Sequence, residues 1–418
     1  MKIAVWHNLP SGGGKRALYD HVKGLIARGH EIEVWCPPTA DRSYLPLSSI
    51  VPEHVVPLSG FETGQHSGLL RQLYQVRWNT WSQLDSMERH CRECARQMRA
   101  KDFDILFAAS CILYYTPLIG RFVEIPRVLY LGEPNRPLYE AQPELLWPAM
   151  NWTTKDLFSL DFWRKALRRR LRLPGIRVLA REERNSALAF DTILVNSFFS
   201  RESVLRAFGV DSKVCYLGID TDQFTNQNKS RESFVVSLGA VIPSKNLEFL
   251  VDAVGKVSTQ LRPRLDLIAN TIDAAYLDRL KQRAEKCRVS IQLHHSVTDA
   301  QVVDILNRAL VMLYAPRLEP FGYAPLEACA CATPVIATAE GGVRETIEDG
   351  VNGLIVEPEP ASMGTAIERL IVDEELRKRL SAKGPEIVKA KWSLGPSIER
   401  LESKLNERMN KAAIAIKC

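Results

Sequence analysis

Short apolar runs alternate with amphipathic helical segments along this chain, and the alternation begins twice. The first series opens with an apolar run, a glycine-rich turn, a helical segment from about Lys15 to Arg28 and a second apolar run from Glu31 to Cys36. This order predicts a β-α-β unit. Three further apolar runs, DILFAAS, RVLYLG and DTILVNS, favour a parallel sheet with helices on both faces.

The pattern restarts in the second half. The segment SFVVSLGAVIPSKNLEFLVDAVGKV contains an apolar run, a loop and a helical stretch, and LDLIAN, SIQLHH, VMLYAP and PVIAT follow it. We therefore predict an α/β fold of two facing Rossmann-like, doubly wound domains, with ligands in the cleft at the carboxyl ends of their strands. We assign residues 1–200 and 395–418 to the N-terminal domain and 201–394 to the C-terminal one, because an amphipathic segment at about 397–411 is expected to cross back.

Size and charge limit the classes of protein to consider. A chain of 418 residues exceeds the roughly 250–300 at which one hydrophobic core stops growing, so two domains are expected. The net charge of +6 is too mild to indicate a polyanionic partner by itself. The opening MKIAVWHNLP lacks the regions of a signal peptide, and no window holds ~18 uninterrupted apolar residues, so we expect neither secretion nor a spanning helix.

The cysteines are scattered along the sequence and odd in number, which favours reduced thiols in a cytosol over a disulfide framework. Cys91 and Cys94 form a C-x-x-C motif in the charged helical run MERHCRECARQMR. Because no second cluster completes a zinc site, a structural role is favoured over metal or redox use.

Three places offer positive charge or backbone N–H groups to a phosphate. The glycines at 12–14 lie at the start of the first predicted helix, where the helix dipole favours an anion. Lys245 stands beside the start of another helix, and residues 341–343 precede a third. Each has a plain alternative, because three glycines also make a tight turn and a surface lysine is usually only solvated.

Two glutamates, Glu319 and Glu327, stand eight residues apart in EPFGYAPLE, just before the apolar run ACACATPVIAT. A carboxylate avoids an apolar core unless hydrogen-bond donors satisfy it. We therefore expect both glutamates to have hydrogen-bonding partners, and a polar ligand is one candidate.

The same residues resemble a known family. The block EPFGYAPLEACACATPVIATAEGGVRETIEDGVNGLIV resembles the donor-site signature, with its E-x7-E motif, of the retaining, nucleotide-sugar-dependent glycosyltransferases of family 4. Further matches are PSGGGKRALYDHVKGLIARGHEIEVW, the Asn196–Ser197 pair, YLGIDTDQF and VIPSKNLEFLVDAV, so the resemblance covers most of the chain. It implies the GT-B architecture, with acceptor binding by the N-terminal domain and donor binding by the C-terminal domain.

The resemblance also implies roles for individual residues. Glu319 would bind the hydroxyls of the donor sugar, Glu327 the ribose of the nucleotide and Lys245 the diphosphate. Phe321 and Gly322 would offer backbone amides to the sugar, and Glu345 would lie near the leaving nucleotide. The other residues assigned to donor binding are Gly13, Gly14, Gly239, Pro320 and Tyr323.

Glycosyl transfer needs a fixed sugar and a partner for the charge that builds on the departing diphosphate. Glu319 meets the first need, and Lys245 with helix N-termini and glycine amides meets the second. No Asp-x-Asp pair stands where a divalent ion would bridge the diphosphate, so we predict no metal and no cofactor besides the nucleoside-diphosphate sugar substrate. The resemblance implies retention of configuration.

Two positions depart from the family pattern. Ala240 stands where relatives usually carry an arginine, which removes a bidentate phosphate donor. Gly132 stands where relatives tend to have a histidine near the reacting sugar. Glu133 and Arg136 are the candidates to replace that histidine, and we count Glu133 among the catalytic residues, although a loop glutamate is more often only solvated. A structural role is favoured for His7, at the end of the first strand.

A basic and aromatic stretch bears on the acceptor. Residues 162–184, FWRKALRRRLRLPGIRVLAREER, mix apolar and basic side chains, and residues 69–84, LLRQLYQVRWNTWSQL, add another aromatic segment. Each basic side chain adds about 1 kcal/mol near anionic headgroups. The residues assigned to this acceptor or membrane surface are Trp163, Arg168, Arg169, Arg170 and Arg172. A solvated, partly core-packed helix is an equal alternative.

These observations predict a hexosyl-type glycosyltransferase that acts on a glycan or lipid-linked acceptor in polysaccharide biosynthesis, in the cytoplasm and at the inner face of the membrane. A soluble transferase acting on a small metabolite, a sugar phosphate or a protein would share the donor site. A non-catalytic nucleotide-sugar-binding protein would share the fold. A nucleic-acid-binding protein would leave the two glutamates unexplained, so no nucleic acid is expected.

Overall fold

The computed structural model of the chain describes residues 1–59, 69–141, 145–148, 151–154 and 156–417, with side chains at all of these except 69–79, 157 and 413–417. The chain divides into two compact units. Unit 1 comprises Met1–Val195, Ser200–Cys215 and Arg400–Cys418, and unit 2 comprises Asn196–Phe199 and Tyr216–Glu399.

Unit 1 is built around a seven-stranded sheet of order β3-β2-β1-β4-β5-β6-β7, in which every described pairing is parallel. Its strands are β1 (Lys2–Asn8), β2 (Glu31–Cys36), β3 (Glu53–Val55), β4 (Ile105–Cys111), β5 (Arg127–Tyr130), β6 (Thr192–Val195) and β7 (Lys213–Val214). The helices are α1 (Gly13–Ala27), α2 (Leu69–Arg99), α3 (Arg136–Tyr139), α4 (Leu160–Leu188) and α5 (Phe198–Phe208), the last of which begins in unit 2.

Helices pack on both faces of the sheet of unit 1, because the central strands present apolar side chains on both faces. Trp6 and Trp35 are completely buried, and so are Cys91 and Cys94 of α2, which belong to the same apolar cluster. His90 accepts a hydrogen bond from the indole of Trp6 at 3.1 Å. The C-x-x-C motif therefore lies within the hydrophobic core, which agrees with the structural role predicted for it.

Unit 2 contains a six-stranded sheet of order β10-β9-β8-β11-β12-β13, again parallel at every described pairing. Its strands are β8 (Glu232–Leu238), β9 (Arg264–Ala269), β10 (Ile291–His295), β11 (Ala309–Tyr314), β12 (Val335–Thr338) and β13 (Gly353–Val356). The helices are α6 (Leu247–Lys256), α7 (Ala274–Cys287), α8 (Asp299–Arg308), α9 (Tyr323–Ala330), α10 (Val343–Thr346), α11 (Pro360–Val372) and α12 (Glu374–Ile387).

The last helix, α13 (Leu394–Lys417), begins in unit 2 and belongs to unit 1 from Arg400 onward. Ion pairs hold this part of the helix to unit 1. Glu402 lies 2.8 Å from His30, and Glu407 lies 2.5 Å from Lys213.

The units differ in two details from the elements that the sequence predicts. Helix α1 begins at Gly13 instead of Lys15, so two glycines form its first turn. Residues 201–215 belong to unit 1 instead of the second domain, because β7 pairs with β6 there, and residues 196–199 and 395–399 belong to unit 2 instead of the first domain.

The strand order reverses once in each sheet, between β1 and β4 in unit 1 and between β8 and β11 in unit 2. The predicted α/β fold of two doubly wound parallel sheets is therefore confirmed. Ligands of such sheets bind beyond the carboxyl ends of the strands at this reversal. In unit 2 the loops at 239–246 and 315–322 leave the neighbouring strands β8 and β11 at that point, so they border the expected ligand position of this sheet.

Candidate functional site

The loops that follow β8 and β11 meet at Lys245 and Glu319. Lys245 ends a short 3-10 helix, Pro243–Lys245, and Glu319 lies in the loop before α9. The Nζ atom of Lys245 lies 2.8 Å from Oε1 and 2.9 Å from Oε2 of Glu319. The side chains are 26% and 24% exposed, so the pair is shielded but reachable. The structure thus brings together the lysine predicted to meet the diphosphate and the glutamate predicted to bind the sugar.

Two residues with positive φ place Lys245. Gly239 has a φ of 154°, and the position of its missing Cβ lies 3.9 Å from Cδ of Lys245, so the lysine chain passes over the glycine. Asn246 has a φ of 54°, and its side chain donates to the carbonyl oxygen of Ala315 at 3.1 Å. This bond ties the lysine loop to the loop after β11. Lys245 is the one basic residue of positions 239–246 in the sequence, because position 240, for which the family resemblance implies an arginine, is an alanine.

Gly341 and Gly342 pack closely against the backbone of Glu319 and Pro320. A Cβ on Gly341 would lie 2.4 Å from the carbonyl oxygen of Glu319, and one on Gly342 would lie 2.1 Å from that of Pro320. The N–H of Gly342 donates to the Glu319 carbonyl at 2.8 Å. The sequence assigned these glycines to an anion site before a helix. That helix, α10, has only four residues, and the role visible here is close packing against the Glu319 loop.

The middle of the E-x7-E segment forms the start of α9. Gly322 precedes the helix with a φ of 97°. The ring of Phe321 is buried and packs 5.6 Å from the ring of Tyr323 and 5.8 Å from that of Trp392. The side chain of Phe321 thus belongs to the core of unit 2, which leaves its backbone for the predicted contact. The Pro320 carbonyl accepts from the hydroxyl of Ser197 at 2.6 Å.

Glu327 and Tyr314 lie beneath this segment. Glu327 is buried on α9. The hydroxyl of Tyr314, the last residue of β11, lies 3.0 Å from the position of a Cβ on Gly322. Burial raises the pKa of Tyr314, and the charges of Glu319 and Glu327 raise it further. Its phenol therefore keeps its proton and its capacity to donate. Sequence reasoning missed Tyr314, because a tyrosine that ends an apolar run is typical of a core strand.

Glu345 caps the first residues of α5, which belong to unit 2. Its carboxylate accepts from the backbone N–H groups of Phe198 at 2.9 Å and Phe199 at 3.0 Å, at the start of α5. It also accepts from the hydroxyl of Tyr216 at 2.9 Å. These three hydrogen bonds account for the carboxylate that the sequence placed near the leaving nucleotide.

The glycine candidates Gly13 and Gly14 lie in unit 1, in the first turn of α1, after Gly12 with a φ of 132°. The next residue, Lys15, is completely buried, and its Nζ has no hydrogen-bond partner among the described residues. Burial lowers the pKa of Lys15. Sequence reasoning missed this lysine because nothing in a single sequence distinguishes it from a solvated one.

A buried polar cluster surrounds His7 in unit 1. The ligand atoms of His7, Cys36 and Glu53 lie within 4.8 Å of one another, a spacing that suits a metal ion. However, Arg42 donates to Glu53 at 2.9 Å, and the charge of Lys15 also acts on Glu53. Burial lowers the pKa of His7 to about 4, while His7 and Arg42 hold the pKa of Glu53 near 2. The protein's own cations therefore balance this carboxylate.

Glu133 follows β5, and one of its carboxylate oxygens lies 3.8 Å from Nε of Arg136. Nearby, Asn135 donates to Glu183 of α4 at 3.1 Å. Glu183 is completely buried, and burial raises its pKa to about 7. Unit 1 therefore contains a carboxylate that titrates near neutral pH. The sequence did not single it out, because it lies in the basic stretch.

The basic stretch forms α4, whose two halves differ in their surroundings. In the C-terminal half, Val178, Glu183 and Ala187 are buried, so this half packs against unit 1. In the N-terminal half the exposed residues include Trp163, Arg168, Arg170 and Arg172, whereas Arg169 is half-buried and donates to the Leu145 carbonyl at 3.4 Å.

The other aromatic segment is described only in part. Side chains at 69–79 lie outside the described residues. Trp81 is half-exposed, with the guanidinium of Arg181 5.7 Å from its ring. Within the described part of the chain, no helix combines the length and the apolar character needed to span a membrane.

The sequence of unit 2 matches a known protein family. Residues 218–387 match the family described as glycosyl transferases group 1. The human α-1,3/1,6-mannosyltransferase ALG2 is 29% identical over 246 residues, which cover 53% of this chain and 59% of that protein. A GDP-mannose-dependent α-(1-6)-phosphatidylinositol monomannoside mannosyltransferase of Mycobacterium tuberculosis is 28% identical over 231 residues, 48% of this chain and 58% of that protein. The chain spans about half the length of the curated relatives that it matches.

Solved structures extend the likeness to both units. HepE of Anabaena in complex with UDP superposes with a TM-score of 0.69 at 18% identity, covering 97% of this chain and 100% of that one. This likeness concerns the fold, and it supports the GT-B fold that the resemblance implied. The match to glycosyl transferases group 1, over residues 218–387, lies within unit 2.

Proposed function

We propose that this protein is a retaining glycosyltransferase of family 4 that transfers a sugar from a nucleoside-diphosphate sugar to a lipid-linked glycan. The contact between Lys245 and Glu319 carries the proposal. It places one cation and one carboxylate at the strand reversal of unit 2, inside the region that matches group 1 glycosyl transferases.

The two charges divide the work of donor binding. When the donor binds, the ammonium group of Lys245 pairs with the diphosphate instead of with Glu319. The carboxylate of Glu319 then accepts hydrogen bonds from the hydroxyls of the sugar. Charge builds on the diphosphate as the glycosidic bond breaks, so the lysine binds the transition state more tightly than the ground state. Bonds of this kind are worth ~2–4 kcal/mol each in a site that excludes water.

Other residues complete the donor site in this proposal. Glu327 binds the ribose, and the backbone of Phe321 and Gly322 contacts the sugar at the start of α9. The backbone amides of Gly13 and Gly14 are assigned to the phosphates. Glu133 serves the acceptor side of the reaction. The same set needs no metal, because Lys245 and backbone N–H groups neutralise the diphosphate.

The acceptor is proposed to be a lipid-carried glycan at the cytoplasmic face of a membrane, with the protein bound peripherally during polysaccharide assembly. The name of the mycobacterial relative supports a lipid acceptor, since that enzyme acts on phosphatidylinositol monomannoside. The exposed arginines of α4 support a membrane setting as well, because anionic headgroups attract basic side chains.

Donor binding tests the proposal directly. Thermal shift and calorimetry with a panel that begins with GDP-mannose and UDP-glucose should identify at least one donor that stabilises the protein. The selected donor should then be turned over, either by transfer or by slow hydrolysis, and Glu319→Ala should lower this turnover by about 10²–10³-fold. Stabilisation without any turnover would indicate a non-catalytic binding protein, and a folded protein that binds no nucleotide sugar would overturn the proposal.

A further inference from the structure

We propose that one surface of unit 1 docks on an anionic lipid bilayer through inserted aromatic side chains and a border of arginines. The inference deepens the proposed function, because it identifies the membrane-facing surface of a transferase whose acceptor is a lipid. The inserted part, called here the aromatic patch, consists of Trp147, Trp152, Phe158, Leu160, Trp163 and Leu167.

The aromatic patch is open to solvent. Phe158 is 91% exposed and Leu160 78%, and the three tryptophans are each more than half exposed. Single exposed apolar side chains are ordinary on a soluble protein, but a dense group of large ones marks a surface with a partner. All six residues fall within positions 147–167, in the segment that leads into α4 and in its first two turns.

Helix geometry places part of the patch on one stripe. The hydroxyl of Ser159 accepts from the N–H of Phe162 at 3.3 Å and fixes the start of α4. Leu160, Trp163 and Leu167 then follow at spacings of three and four residues, which puts them on the same face. These three residues therefore form one apolar stripe at the start of α4.

Basic side chains border this stripe. Positions 160–172 contain six basic residues and one acidic residue, Asp161, which pairs with Lys165 at 2.7 Å. Helical spacing puts Arg164 and Arg168 along one edge of the stripe and Arg170 along the other. Near an anionic surface each basic side chain multiplies the partition of a protein about fivefold.

The indole side chains suit the boundary between headgroups and acyl chains. Tryptophan combines a large apolar ring with one N–H donor and is enriched at this depth in membranes. Trp147 already donates its N–H to the Leu138 carbonyl at 3.3 Å, so its ring can enter an apolar layer without an unsatisfied donor. Aromatic rings with a basic border are typical of segments that lie in the plane of a bilayer.

The local charge selects a bilayer over a protein partner as the occupant. A second copy of this chain would bring the same positive surface and would be repelled. A protein partner would need a dense acidic face to match six basic residues with one acid between them. A bilayer that contains anionic lipids supplies negative charge and an apolar layer together.

Vesicle flotation of the full-length protein tests this assignment. We expect strong binding to vesicles of phosphatidylcholine with phosphatidylglycerol, weak binding to phosphatidylcholine alone, and loss of binding at high salt. Arg164→Ser, Arg168→Ser and Arg170→Ser together should lower the partition about 100-fold. Phe158→Ser, Leu160→Ser and Trp163→Ser together should also release the protein. Tryptophan emission should shift to shorter wavelength on binding of the wild-type protein.

The matched control removes equal charge from another helix. Lys378→Ser, Arg379→Ser and Lys383→Ser alter exposed residues of α12 in unit 2 and should leave flotation unchanged. Equal loss in this control would overturn the proposal in favour of unspecific attraction, and so would failure of the wild-type protein to float. A dimer that the aromatic variant dissociates, without vesicle binding, would show that the patch covers a second copy. Flotation needs no donor, so it can succeed even if transfer fails.

Discussion

Lys245 and Glu319 form a partly shielded ion pair at the end of the sheet of unit 2, so each side chain is the other's hydrogen-bonding partner. We expect Lys245→Ala to weaken the binding of the nucleoside diphosphate product about 10- to 100-fold, because a charge-assisted bond to phosphate is lost. Isothermal calorimetry measures this effect. Lys378→Ala, on an exposed helix of the same unit, should leave the affinity unchanged. Unaltered binding by Lys245→Ala would refute the diphosphate role.

Glu319→Ala should lower turnover by about 10²–10³-fold if the carboxylate orients the sugar in the transition state. It should also leave Lys245 without its partner, so the two substitutions should not be additive in a double-mutant cycle of kcat/KM. The coupling energy between the two substitutions distinguishes a glutamate that orients the sugar from one that only pairs with Lys245. Near-normal turnover in a folded Glu319→Ala protein would rule out the donor role.

The sequence predicted both residues but not their contact. Glu319 and Lys245 were found from motifs, and each was paired with part of a ligand. Their mutual bond depends on β8 and β11 lying side by side, a long-range pairing that no local pattern encodes. Tyr314 and Lys15 were missed for a related reason, because burial by distant elements gives them their special surroundings.

Two adjacent glutamates of α4 should differ in their response to pH. Burial raises the pKa of Glu183 to about 7, above its ordinary 4.5. A raised pKa means that its contribution to stability is full below pH 4.5 and is lost as pH rises towards 7. Relative to wild type, Glu183→Gln should therefore gain stability with pH, by about 2 kcal/mol between pH 5 and pH 8.

Glu182 is the matched control for that experiment. Burial alone would raise its pKa, but ion pairs with Arg121 and Arg181, each at 2.6 Å, hold the pKa below its ordinary value. Its favourable contribution is therefore complete above pH 4.5, so Glu182→Gln should destabilise the protein by a similar amount at pH 5 and pH 8. Urea denaturation at both pH values measures the two trends, and a Glu183→Gln effect independent of pH would contradict the assignment.

At the scale of the element, the loop that carries Glu319 depends on the glycines that receive it. A Cβ on Gly342 would meet the Pro320 carbonyl oxygen at 2.1 Å, so the backbone must move. We expect Gly342→Ala to lower the unfolding free energy by about 2 kcal/mol or more and to weaken donor binding. Gly395→Ala, where a Cβ meets nothing within 4 Å, should be neutral or slightly stabilising. Equal behaviour of the two variants would contradict this packing role.

Elements with strong local patterns were predictable, and their surroundings were not. Apolar runs identified β4, β8 and β11 because buried parallel strands are apolar on both faces. A partly core-packed helix was one of two readings of the basic stretch, and the structure shows that packing and exposure change along α4. The aromatic residues before that helix were not noticed, since Trp147, Trp152 and Phe158 stand in a segment without periodicity.

At the scale of the molecule, the restart of the β-α pattern predicted two sheets, because each doubly wound domain needs its own series of strands. Whether residues 200–215 belong to unit 1 or to unit 2 depends instead on the pairing of β7 with β6. An edge strand of two residues leaves almost no trace in a sequence. The acceptor is harder still to predict, because its contacts depend on exposed side chains that no packing rule constrains.

The charge distribution of the whole molecule leads to a last prediction, that transfer does not require a metal. The one Asp-x-Asp sequence near unit 2's boundary, Asp220 to Asp222, forms a turn in which Asp220 accepts from the N–H groups of Asp222 at 2.9 Å and Gln223 at 3.1 Å. That carboxylate already accepts hydrogen bonds from the backbone. In the proposed donor site, Lys245 supplies the positive charge. EDTA should therefore leave kcat within about twofold of its normal value, since no term in ΔG‡ is removed.

The measurement must separate a catalytic metal from a structural one. His7, Cys36 and Glu53 have a spacing that suits an ion in unit 1, and an ion there would affect folding, not the leaving group. Melting temperature and kcat should therefore be followed together during EDTA titration. A lower melting temperature with normal initial turnover would place a metal at that cluster. Loss of turnover at constant melting temperature, restored by Mg²⁺ or Mn²⁺, would instead show that the diphosphate is neutralised by an ion and that Lys245 is insufficient.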